Sequence, residues 1–323
     1  MRKSILYLLF IVFISTTLFP WSGHEAMTYY IIQDLPNIDK NVFITEYTYD
    51  EERQYNLEYL RLTDVAGKRE FFCPTGDGVF PPDPPAVDDS LPVWQILTIY
   101  SPEPDNGMDE GLDLHPLQGL IGNSQGVRHM RYKIGFLKVF EGDKSFLYFV
   151  ELSKQAFEKN DEYWGYRFLA RALHYIEDLS QPYHNAPGSF FEIIGAAFNK
   201  NISRKLNNAH YFMDDYLVYL LYYSDNAAKE VILGAKSAFF DNYEDYVQEM
   251  MDYSLSKFSL IHSEIKARFG ESLNDYVTIE QIRKMDEEGK LSKLKEETLS
   301  VLSYSSSIIK GFLIDFLESV GQI

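Results

Sequence analysis

The chain has one cysteine, Cys73, which excludes an intramolecular disulfide and any metal site built on paired thiolates. Cations are in deficit as well: 30 Lys and Arg stand against 48 Asp and Glu, a formal net charge of −18. That balance argues against stable nucleic-acid binding, and against gripping an anionic membrane by a basic surface, because both rest on neutralising phosphates. It leaves a phosphate-ester substrate open, since bound divalent cations would supply positive charge that the side-chain count omits. Strand-like alternation is scarce, and there is no internal repeat or low-complexity tract. Histidine is also sparse, with seven in 323 residues. Any metal must therefore be held by a few imidazoles together with Asp and Glu.

What is present is apolar, aromatic and helical in pattern. Hydrophobic residues make up 46% of the chain, enough to bury one large core. Arg2 and Lys3 followed by the apolar run Ile5 to Phe19 read as an export signal, so residues 1–20 are set aside and a secreted or periplasmic product is expected. No later segment is expected to span a membrane. His24 opens a first helix that ends before Pro36. Residues 72–117 are rich in Pro, Gly and Asp, as in Pro81-Pro82-Asp83-Pro84-Pro85, and read as a long functional loop region. From Gly126 onward the reading is helical almost throughout. Apolar spacing of three and four predicts helices over Phe146 to Lys159 and Tyr163 to Leu179. Further helices are expected at 189–200, 204–223, 225–238, 241–268, 278–288 and 291–319. The expected architecture is all-α, a single multi-helix domain over residues 21–323.

The chemistry concentrates in two segments. In His174-Tyr175-Ile176-Glu177-Asp178, the His and the Asp are one turn apart on the same helix face and can grip one cation. Pro182 then breaks the helix, so that His184 can fold back toward that face. His210-Tyr211-Phe212-Met213-Asp214 repeats the His and Asp spacing, with Asp215 as a possible substitute ligand. His129 and His262 have no partner at ligand spacing and read as ordinary surface or core histidines. Phe190, Phe191, Ile194, Ala197 and Phe198 form an apolar stripe at helical spacing. It reads first as a core helix and second as a lid or lipid-contact helix beside the metals.

With these motifs in hand, the chain resembles the zinc-dependent phospholipase C family and its relatives, the fungal-type single-strand nucleases and 3′-nucleotidases. The resemblance rests on His174, Asp178, Pro182 and His184, on His210 and Asp214, on Trp21-Ser22-Gly23-His24, and on Asp105 followed by His115 in the Pro-rich region. It implies a mature chain beginning at Trp21 and three zinc ions. Asp105, His115, His174 and Asp178 would hold one ion, and His184, His210 and Asp214 a second. Trp21 and His24 would hold the third, with Asp178 bridging it to the first. The resemblance gives Asp105 a catalytic role as well, orienting or deprotonating the attacking water. Zinc would polarise a phosphate ester and acidify bound water. The implied substrate is a phospholipid or another phosphodiester, with transient membrane contact. Single-strand nuclease or nucleotidase activity and a non-catalytic helical metal-binding protein are the alternatives.

Overall fold

In the computed structural model, the described residues are 23–49, 90–106, 109, 112, 114, 125–134 and 137–323. They form an all-α domain. The helices are α1 His24–Ile31, α2 Val93–Tyr100, α3 Gln125–His129, α4 Gly142–Glu158, α5 Glu162–Ser180 and α6 Pro182–Asn185. They continue with α7 Phe190–Ala196, α8 Lys200–Tyr222, α9 Ala227–Leu233, α10 Tyr243–Phe269, α11 Ile279–Glu287 and α12 Ser292–Ser319. Two antiparallel pairs, β1 Asn41–Phe43 with β2 Ser90–Pro92 and β3 Tyr132–Ile134 with β4 Leu137–Val139, are the strands among the described residues.

The central element is α5, in which every residue from Tyr163 to Ser180 is buried. Asp161 caps it, accepting from the Trp164 amide, as its short carboxylate can at an N-cap. A three-residue turn through Asn160, which carries φ 60°, reverses the chain from α4 into α5. Asn tolerates that left-handed geometry better than most residues. The two helices then lie antiparallel, with Phe149 stacked on Tyr175 at 5.6 Å and the Ser153 hydroxyl donating to the Gly165 carbonyl at 2.7 Å. A Cβ on Gly165 would lie 2.7 Å from the Phe157 ring, so glycine is what allows this approach.

A second antiparallel pair, α10 and α12, closes the other side through Tyr253 stacked on Tyr304 at 3.9 Å and Tyr246 against Phe312. By length and composition α12 could cross a bilayer, which the sequence reading did not anticipate, but 61% of its most apolar window is buried within this fold. Its apolar residues pack as the core of the helical domain.

The helix expected at 225–238 is the shorter α9, ending at Leu233, and two further parts depart from the expected pattern. The region read as loop, 72–117, contains α2, whose sequence Val-Trp-Gln-Ile-Leu-Thr-Ile-Tyr is buried at all but Trp94. A helix buried on nearly every side shows no amphipathic period, so the flanking prolines dominated the sequence signal. The other departure is the β3–β4 pair, which interrupts the helical reading after Gly126 with strands too short to show alternation. The pair is nonetheless useful to the site: the Arg131 amide just before β3 donates to the His184 carbonyl at 2.9 Å, tying this region to α6.

Candidate metal centre

Along α5 the residues Arg167, Arg171, His174 and Asp178 follow one another at spacings of four, three and four, which keeps them on one stripe. The upper part of that stripe fixes a loop. Arg167 and Arg171 both donate to the buried Glu103 carboxylate, and their charges hold its pKa below the ordinary range although burial alone would raise it. Glu103 is two residues before Asp105, so this buried ion triad positions the loop that delivers Asp105 to the lower part of the stripe.

There His174 Nε2 lies 3.1 Å from Asp105 Oδ1 and 3.1 Å from Asp178 Oδ2. From α1, His24 Nε2 approaches Asp178 Oδ1 at 3.6 Å and Asp105 Oδ2 at 3.8 Å. After α5, Gln181 and Pro182 break the helix, and His184 Nδ1 returns to 3.1 Å from Asp178 Oδ1. On α8, His210 Nε2 is 3.5 Å from Asp214 Oδ2, and His184 Nε2 is 4.0 Å from Asp214 Oδ1. Seven of the predicted ligands therefore converge: His24, Asp105, His174, Asp178, His184, His210 and Asp214. Trp21 and His115 lie outside the described residues, as does any cut point before Trp21. Asp215 takes no place in the cluster; its carboxylate accepts from the Tyr276 hydroxyl.

His129, read from sequence as an ordinary histidine, belongs to the cluster. Its Nδ1 lies 2.8 Å from Asp178 Oδ2, 2.9 Å from His174 Nε2 and 3.5 Å from Asp105 Oδ1. Its Nε2 donates to Asp109 Oδ2 at 3.2 Å. Asp109 is in turn held by Arg128 at 2.6 and 2.8 Å and by the Tyr175 hydroxyl at 2.7 Å. His24 has a matching outer partner: its Nδ1 donates to Glu177 Oε2 at 2.8 Å, and Thr28 donates to the other Glu177 oxygen at 2.7 Å. An imidazole with one nitrogen on a carboxylate and the other facing a cluster of donors is the arrangement found behind metal-bound histidines. His262, by contrast, stays outside: it bonds Tyr183 and Glu192 at 2.8 Å each and stacks on Phe258.

Charge in the cluster is arranged in two ways. Burial opposes the protonated forms of His24, His129 and His174, but the surrounding carboxylates outweigh it and raise all three pKa values. Asp178 shows the counterpart, held well below the carboxylate range by His174 and His184 despite its burial. In the other part, burial and the nearby His184 push the His210 pKa well down, while burial pushes that of Asp214 well up.

Among the described residues, three groups are close enough to hold a metal ion: His24, His174 and Asp178; Asp105, His129 and His174, which shares His174 with the first; and His184, His210 and Asp214. The donor atoms fit such a role. Among the described residues, Asp178 Oδ1, His184 Nδ1 and Asp214 Oδ2 are buried without a hydrogen-bond partner, which is costly for polar atoms unless something else satisfies them. Each imidazole nitrogen serves one ion, whereas a carboxylate can serve two. His174 is common to the first two groups, and its Nε2 lies nearest to His129 Nδ1, at 2.9 Å.

Neither a scan against protein-family models nor a search of curated proteins finds a match to the chain. The functional reading therefore rests on this geometry and on the motifs that led to it.

Proposed function

We propose that the protein is an exported zinc-dependent phosphoric ester hydrolase of the phospholipase C type, acting on phospholipids. The observation that carries this reading is the convergence of five imidazoles and three aspartates into one buried cluster. The donors are nitrogen and oxygen without sulfur, a set that suits zinc in catalytic sites. One ion would be held by His129, His174, Asp105 and Asp178, one by His184, His210 and Asp214, and one by His24 with Asp178, to which the resemblance adds Trp21. His129 thus takes the position that the resemblance gave to His115. Bound zinc would supply positive charge to a phosphate ester and lower the pKa of water to about 7.

The chain's own part is positioning and proton handling. Asp105 is the member of the cluster most open to solvent, with 12% of its side chain exposed. Its carboxylate sits where it can orient an incoming water or take its proton, and the Glu103 triad keeps it there. The strong acidity of the chain disfavours a polyanionic nucleic acid, so a phospholipid is the better substrate than single-stranded DNA. The test is metal analysis of the protein combined with parallel assays on phosphatidylcholine, a soluble phosphodiester and single-stranded DNA. Zinc together with release of diacylglycerol supports the reading. Cleavage of DNA alone would move the substrate to nucleic acid, and bound metal with no hydrolysis would reduce the protein to a metal-binding one.

A further inference from the structure

The stripe at 190–198 does not form a core helix. Only Ile193 and Ala196 of α7 are buried, while Phe190 is 61%, Phe191 83%, Ile194 42% and Phe198 77% exposed. Large apolar side chains this exposed are otherwise scattered singly among the described residues, at Phe43, Phe239 and Tyr276. Four together within nine positions form a patch, and contiguous apolar patches mark binding surfaces.

The inner side of the segment is already fully engaged. A Cβ at Gly188 would lie 2.8 Å from Leu206 and one at Gly195 2.9 Å from Ile202, so glycines let the segment lie directly on α8. Glu192 pins it from the other side, accepting from His262 and Lys266. Thus the inner side of α7 is taken up by α8 and α10, and its phenylalanines face outward.

Local charge identifies the occupant. Between residues 186 and 206 the charged side chains are Lys200, Arg204, Lys205 and Glu192, a basic stretch in a strongly acidic chain. Lys200 and Arg204 are exposed and form no ion pair among the described residues, while Lys205 pairs with Glu271 and Glu192 is neutralised by Lys266. Exposed apolar side chains with exposed cations close by in the chain match the chemistry of a lipid interface, where acyl chains lie beneath phosphates. Screening confines the repulsion from the rest of the acidic body to about 8 Å at physiological salt, so the local patch decides the contact.

We propose that the surface formed by Phe190, Phe191 and Ile194 of α7 and by Phe198 just after it docks the protein on a phospholipid bilayer, with Lys200 and Arg204 meeting lipid phosphates. The patch is connected to the cluster. Glu192 bonds His262, His262 bonds the Tyr183 hydroxyl, and the Tyr183 ring stacks on His210 at 5.9 Å. The purpose of docking rests on the phospholipase reading, but docking itself is measurable without turnover.

The experiment is co-sedimentation of the full chain with vesicles of a phosphonate analogue of phosphatidylcholine, which cannot be cleaved on the glycerol side, with and without phosphatidylglycerol. The protein is expected to partition onto both. F190S/F191S should lower partition by at least about a hundredfold, a factor of about ten for each buried phenylalanine. K200S/R204S should lose about fivefold per residue on the anionic vesicles, as expected for one cation near an anionic surface, and little on the zwitterionic ones. Unchanged metal content and circular dichroism establish that both variants are folded. Hydrolysis of a soluble phosphodiester, measured alongside, separates failure of docking from failure of the enzyme reading. Docking is overturned if the wild-type chain stays in the supernatant, or if F190S/F191S pellets as the wild type does. It is equally overturned if the patch is covered by a second copy, seen as a lipid-free dimer that F190S/F191S converts to monomer.

Discussion

His24 and His129 each donate to a buried carboxylate on the side away from the cluster, Glu177 and Asp109 respectively. His184 and His210 are held instead by ring packing, at 5.0 Å from one another and with His210 stacked on Tyr183. In the first region, the carboxylates of Asp105 and Asp178 lie close to the imidazoles and favour their protonated forms. In the second, His210 is driven toward its neutral form and Asp214 toward its protonated one. The difference teaches that the two regions depend on metal differently. The first is organised by an ion-pair network that exists before metal arrives, whereas the second gains most of its charge complementarity from the ion itself.

Asp178 joins the two regions, so the largest effect is expected there. Asp178→Asn removes the carboxylate that approaches His24, His129, His174 and His184. It should cost more than one equivalent of metal and take phosphodiesterase activity to background, measured by elemental analysis and a soluble diester assay. Retention of all the metal would break the view that one residue links both regions.

Next come the ligands of one region alone. His129→Ala should lose metal and activity as fully as His174→Ala does, while the ion of His184, His210 and Asp214 is retained. If His129→Ala behaves like wild type, the donor belongs elsewhere, with His115 the first residue to try. Outer partners should matter less. Asp109→Asn and Glu177→Gln are each expected to weaken metal affinity about 10- to 100-fold, read by competition with a chromophoric chelator. Gln181→Ala, which removes the 2.7 Å hydrogen bond to Asp214 and the side-chain acceptor of the Tyr183 amide at the start of α6 but no ligand, should fall at or below the lower end of that range.

Removing metal gives a smaller, general effect. At metal about 100-fold above its Kd, one site stabilises the fold by about 2.7 kcal/mol, so a chelator should lower Tm by several degrees. The pH dependence then separates the regions. His24, His129 and His174 have folded pKa values above the unfolded imidazole value of about 6.5. Their contribution to the metal-free protein is complete below that value and is lost as pH rises through the raised ones. Calorimetry of the chelated protein should therefore show Tm falling above about pH 6.5. Bound metal, which requires neutral imidazoles, should flatten that decline.

Most of the long helices after residue 142 were legible because each buries one face and exposes another, leaving a period of three and four in the sequence; α5, buried along nearly its whole length, showed that period because Arg167, Arg171, His174 and Asp178 form a polar stripe among its apolar residues. The His174 and Asp178 pair, the His210 and Asp214 pair and the return of His184 past Pro182 were legible for a related reason: their geometry is local, set within a turn or two of one helix. His129 was not. Its partners are Asp109, twenty residues before it, and Asp178, forty-nine after it, and no local spacing encodes a contact made only by tertiary packing. Helix α2 was hidden by its own burial and by Pro92 before it. The stripe at 190–198 was visible as apolar, but periodicity does not distinguish a face turned to the core from one turned outward.

The most direct measurement is a crystal structure with anomalous data collected at the zinc edge. Peaks within about 2.0–2.2 Å of imidazole nitrogens and carboxylate oxygens are expected among His24, Asp105, His129, His174 and Asp178, and separately among His184, His210 and Asp214. Protein crystallised with zinc present that shows these imidazoles closed on their carboxylates, and no anomalous peak between them, would contradict the account.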